Sequence, residues 1–123
     1  MKKKLLTFAR SRLGGILFSW TVAHMSFAIP AERLYETDQL VAFEHPSPAY
    51  TTHILIVPKK HIRALQNLDP ADTRLIGDLI RCLQTLTPNL ETTPGGYRLV
   101  LNGGDAQEVD HLHFHLIAGE SLS

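Results

Sequence analysis

Residues 111 to 118 read HLHFHLIA, and this strict alternation of imidazole and apolar side chains constrains the fold more than any other feature of the chain. Successive side chains on a β-strand point to opposite faces. His111, His113 and His115 then share one face, while Leu112, Phe114 and Leu116 point into a core from the other. A helix would scatter the same residues around its circumference. The pattern predicts a strand over His111 to Ala118 with one polar, histidine-bearing face.

Three chemistries fit such a row. Solvated histidines need no function at all. A metal is the second, since His at i and i+2 on a strand makes a common ligand pair. All three rings on one ion is harder, because His111 and His115 stand about 13 Å apart along an extended strand. The third is nucleophilic catalysis, in which a neutral ring nitrogen attacks phosphorus to form a phosphoramidate and neighbouring imidazoles orient it and move protons near neutral pH. The preceding loop, NGGDAQEVD (102 to 110), suits an anion through Asn102, Gln107 and the backbone amides of Gly103 and Gly104.

The rest of the chain supplies a scaffold for one domain. Its 123 residues, 44% apolar and 20% charged, suffice for one core and leave no room for a second catalytic module. Twelve basic residues balance twelve acidic ones, so no global positive field gathers nucleic acid. The single cysteine, Cys82, forms no internal disulfide and no thiolate zinc site, and lies on a helix face that reads as core. QLVAF (39 to 43) and HILIV (53 to 57) read as adjacent antiparallel strands around the proline-rich EHPSPAYTT. From Asp69 to Leu86, Leu75, Ile76, Leu79, Ile80, Leu83 and Leu86 recur at helical spacing, with Asp69 as N-cap and Pro70 at the first helical position. Tyr97 to Leu101 reads as a further strand, and Lys59 and Lys60 as solvated charges. The expected class is α+β with an antiparallel sheet.

Residues 1 to 28 stand apart. The first twelve hold five basic residues and no acid, and LGGILFSWTVAHMSF (13 to 27) is mostly apolar. A secretory signal, an interfacial membrane helix and a first helix packed on the domain all share this pattern. The segment Ala28-Ile29-Pro30-Ala31 puts a proline where a signal cleavage site wants a small residue. A retained N-terminal apolar helix and a cytoplasmic protein are expected, with a possible weak membrane-surface contact through residues 1 to 27.

The motif His111-Leu112-His113-Phe114-His115-Leu116-Ile117 resembles the histidine triad (HIT) signature, three histidines alternating with apolar residues. IPAERLYETDQLVAF (29 to 43), HILIVPKKHI (53 to 62), GYRLVLN (96 to 102) and QEV (107 to 109) are similar, in order and spacing, to histidine triad nucleotide-binding proteins. The resemblance covers residues 29 to 119 as a HIT domain, with 1 to 28 as an extension. It implies a five-stranded antiparallel sheet with helices, a homodimer, and hydrolysis or transfer at the α-phosphate of nucleotides without a cofactor. His113 would become nucleotidylated, His115 would contact the phosphate and leaving group, and His111 and His53 would complete the catalytic cluster. Asn102 and Gln107 match phosphate-holding positions and Phe43 a base-pocket position. Gly119, where another branch has Pro-Arg, leans toward the Hint branch and its purine nucleoside phosphoramidates.

Several positions depart from that pattern. Relatives carry an Asp for the ribose hydroxyls where this chain reads Glu44-His45-Pro46, so ribose recognition is expected to fall to His45, or to Glu44 if the loop shifts. The Asn102 to His111 loop is about two residues short by comparison with the family, Ala106 replaces a glycine, and Glu108 replaces a Ser or Thr that assists the leaving group. Ser19 to Ala23 stands where some relatives have a zinc-binding CxxC, so no metal is expected. The expected function is a nucleotide hydrolase or transferase of phosphoramidase type; the alternative is a nucleotide-binding or interaction protein with weak turnover.

Overall fold

The computed structural model describes residues 32–123. Five strands, β1 (Arg33–Glu36), β2 (Leu40–Glu44), β3 (Tyr50–Pro58), β4 (Tyr97–Val100) and β5 (Phe114–Ser121), form one antiparallel sheet in the order β1-β2-β3-β5-β4. Among the described residues the single α-helix, α1 (Thr73–Leu86), lies between β3 and β4 in the chain. The expected N-terminal helix falls outside the described residues. Among the described residues no helix is long and apolar enough to cross a membrane.

The sheet is two-faced because its central strands carry buried side chains on both sides. Leu40, Ala42, Ile54, Ile56, Phe114 and Leu116 join Leu75 and Cys82 of α1 in one core, with Leu79, Leu83 and Leu86 packed against it. Leu112, just ahead of β5, belongs to the same core, as its alternation with the histidines predicts. On the opposite face Val41, Phe43, Leu55 and Val57 form a second apolar cluster, and the histidines share this side.

The helix begins later than its pattern suggests. Asp72, not Asp69, is the N-cap, its carboxylate accepting from the Leu75 amide at 3.2 Å. Asp69 instead closes the preceding turn by accepting from the Ala71 amide at 2.9 Å. Both are good caps in sequence, and the turn that Asp69 and Pro70 start consumes the first. The helix ends at Thr87, whose hydroxyl donates to the Leu83 carbonyl at 2.6 Å before Pro88 prevents continuation. Lys59 is not a solvated charge: its ammonium lies 2.7 Å from Glu36, which also pairs with Arg33 at 2.9 Å, tying β1 to the end of β3.

Strand β5 also starts later and runs further than the sequence pattern. Its register against β3 passes from Thr52 opposite Ala118 to Tyr50 opposite Ser121, so Gly119 and Glu120 together oppose the single residue Thr51. This bulge needs Gly119, which has φ +81° and would drive a Cβ to 2.8 Å from the Thr51 Cβ.

Candidate active site

Strand register assembles the histidines. His115 lies opposite Leu55 and His53 opposite Ile117, so both side chains project from the same sheet face. His45 is the first residue beyond β2, held there by its amide donating to the His53 carbonyl at 2.8 Å. The rings form a chain: His45 to His53 at 4.3 Å between centroids, His53 to His115 at 5.1 Å, and His115 to His113 at 5.1 Å.

The expected row of three histidines on an accessible face holds for His113 and His115 but not for His111. Residues 111 to 113 lead into β5 instead of belonging to it, because the Leu112 amide donates to the Ile62 carbonyl, at 2.6 Å, outside the sheet ladder. His111 is fully buried at 0% exposure. Its Nε2–H donates to the Pro58 carbonyl at 2.8 Å, and its own carbonyl accepts from His113 Nδ1 at 2.6 Å. It is a positioning residue for His113.

Backbone partners decide which nitrogen of each ring carries a hydrogen. Carbonyl oxygens only accept, so the neutral His113 ring bears its hydrogen on Nδ1, and its Nε2 lone pair is free. Amides only donate: Ala49 N–H points at His53 Nδ1 at 3.0 Å, which puts the His53 hydrogen on Nε2. His53 Nε2–H then donates to His115 Nδ1 at 2.8 Å, leaving His115 to present Nε2–H outward. The Ser47 amide likewise occupies His45 Nδ1 at 2.9 Å, so His45 also presents Nε2–H. The site thus offers one nucleophilic lone pair among N–H donors.

Burial keeps most of these rings neutral. It lowers His53, His111 and His115 to about 4, with like-charge repulsion from neighbouring imidazoles adding to the effect and, for His111, the Pro58 carbonyl opposing it. His45 is lowered by burial while the field of Glu108 opposes the shift.

Nitrogen atoms of His45, His53 and His115 lie within 4.8 Å of one another, a spacing that could hold a metal ion. A metal needs a lone pair from each ring. Here all three are spent on hydrogen bonds from Ser47, Ala49 and His53, so the trio is built to donate and favours an anion.

The loop residues divide. Asn102 is half-buried two residues after β4, and Glu108 is exposed with its field reaching His45. The Gln107 amide donates to the Arg63 carbonyl at 2.6 Å and the Val109 carbonyl at 2.9 Å, so both of its hydrogens brace the loop. Phe43 is buried beside Leu55 on the histidine face. Sequence reasoning missed the Ser47 and Ala49 amides and the Pro58 carbonyl, because backbone groups leave no residue-type signal. It also passed over His61, whose ring is tilted against that of His111 with centroids 5.6 Å apart.

The site is a four-ring imidazole array on one face of an antiparallel α+β sheet, with one uncommitted ring nitrogen among N–H donors. The profile of the HIT domain matches residues 26–122, and the chain belongs to the HIT family. It is 38% identical over 97 residues to an uncharacterized HIT-like protein of Synechococcus elongatus, covering 77% of this chain and 84% of that one. Among solved structures it is similar to a HIT family hydrolase from Legionella pneumophila, with TM-score 0.71 and 32% identity over 87% of this chain and 95% of that one. It is also similar to a histidine triad nucleotide-binding protein from Candida albicans, with TM-score 0.61 and 32% identity over 81% and 71%.

Proposed function

We propose that this protein is a nucleotide hydrolase or transferase acting at the α-phosphate, with purine nucleoside phosphoramidates as its substrate class and a nucleotidyl-His113 intermediate. The observation that carries the reading is the hydrogen bond from His113 Nδ1 to the His111 carbonyl, which leaves Nε2 as a free nucleophile beside the N–H of His115. The names of the Legionella and Candida proteins support the hydrolase and nucleotide parts respectively.

The chemistry divides into two displacements. His113 Nε2 attacks phosphorus and the bond to the leaving nitrogen breaks, that nitrogen taking a proton from water and departing as the amine, while His115 Nε2–H stays a donor to the phosphoryl oxygens. Water then attacks phosphorus, its proton goes to solvent, and the bond to His113 Nε2 breaks to restore the neutral ring. His53 holds His115 in the productive tautomer throughout.

We also assign a homodimer. β4 is a sheet edge, and Tyr97 and Leu99 on it are 41% and 42% exposed, an apolar edge that a second copy would cover. The functional test is AMP release from adenosine 5′-phosphoramidate by wild type and His113→Ala, with intact-mass detection of an adenylylated protein. Turnover and adduct in the wild type, both lost in the variant, are expected. Tight AMP binding without turnover or adduct would favour a nucleotide-binding protein instead.

A further inference from the structure

We infer that His45 binds the reacting phosphoryl group itself, as a donor paired with His115, and does not serve as the sugar-reading residue. The inference deepens the proposed function and rests on it for the identity of the reacting group. The Ser47 amide consumes the only lone pair of the neutral His45 ring at 2.9 Å, so the edge left for a ligand is Nε2–H. A ring in this state donates one hydrogen and accepts none. Sugar hydroxyls must themselves donate to an acceptor when taken from water, and His45 offers none; anionic phosphoryl oxygens need only donors.

Spacing supports the same partner. The His45 and His115 rings lie nearly parallel, 23° apart with centroids 6.1 Å apart, and His53 stands between them with its own nitrogens engaged. With the two ring centroids 6.1 Å apart, the His45 and His115 donors are close enough to grip two oxygens of one phosphoryl group. His45 is also anchored on both sides, its amide on the His53 carbonyl at 2.8 Å and its ring on Ser47, so the donor is held in place before a ligand arrives. The same hydrogen bonds that disqualify the trio as metal ligands thus extend the anion cradle by one imidazole.

The test uses the full chain with two substrates, adenosine 5′-phosphoramidate and its 2′,3′-dideoxy analogue, on wild type, His45→Ala and His45→Gln. Wild type is expected to separate the two substrates by less than threefold in kcat/KM. His45→Ala should lose at least tenfold on both alike, and His45→Gln, which restores an N–H, should recover part of it. A loss confined to the ribose substrate would overturn the inference in favour of sugar recognition, and no loss on either would overturn it outright. Binding separates this from failure of the proposed activity. If wild type turns over neither substrate, His45→Ala must still weaken AMP at least fivefold while leaving adenosine unchanged; equal weakening of both ligands refutes it. Stoichiometric Zn²⁺ binding by wild type that His45→Ala abolishes would refute it as well.

Discussion

Folding strips His111 of water and so makes the protein acid-labile by a calculable amount. The ring is 0% exposed and lowered by burial to about 4, against 6.5 when unfolded. Above pH 6.5 the ring is neutral in both states and contributes no pH dependence. Below it the unfolded chain takes a proton that the folded ring refuses, so stability falls with pH until the folded group itself protonates near 4. Between pH 7 and pH 5 this linkage removes about 2 kcal/mol. His53 and His115, also near 4, act in the same direction, and with some allowance for solvent at the site mouth the three together remove about 4 kcal/mol, a large part of an ordinary domain's stability. The assay is urea unfolding at pH 7 and pH 5 for wild type and His111→Gln. The glutamine amide can still donate to the Pro58 carbonyl but does not titrate. Its fall in stability between the two pH values should be smaller by about 2 kcal/mol, with about one fewer proton taken up on unfolding. Equal falls in variant and wild type would refute the reasoning.

Gly119→Ala should destabilise the domain by about 2 to 4 kcal/mol, since φ of +81° and a 2.8 Å approach to the Thr51 Cβ penalise any side chain; unchanged thermal unfolding would contradict the bulge. Cys82 is buried at 0% exposure and its thiol is pushed up to about 12, so it should resist thiol reagents until the protein unfolds, whereas rapid labelling of the native chain would show helix α1 loosely packed. Leu75→Ala should cost about 2 to 5 kcal/mol in urea unfolding by opening a cavity between α1 and the sheet. Leu99→Asp should shift the protein toward monomer in light scattering with the circular dichroism spectrum kept; an unchanged mass would place any dimer contact elsewhere.

The parts of this fold that were legible in the sequence are those that side-chain pattern encodes. Alternation of Leu112, Phe114 and Leu116 with the histidines identified the core face of the last strand, and the Leu75 to Leu86 periodicity identified the helix. Short strand β1 escaped separate notice because four residues with partly buried side chains give too little alternation to read. The resemblance to the HIT family, more than periodicity, implied a five-stranded sheet. The boundaries moved where two equivalent signals competed, as with Asp69 and Asp72, or where a tertiary hydrogen bond overrode local pattern, as between Leu112 and Ile62.

That override explains the division of labour within the motif. Strict alternation makes the three histidines look equivalent, yet pulling residues 111 to 113 off the ladder buries His111 and turns its carbonyl onto His113. One histidine then sets the tautomer of the next through the backbone, that ring keeps a lone pair, and the third presents a hydrogen. Backbone amides of the β2–β3 loop complete the arrangement through His45 and His53. Displacing the Ser47 or the Ala49 amide would free the lone pair of one ring only; all three rings could ligate a metal ion only if both amides were displaced and the His53 to His115 hydrogen bond were broken as well.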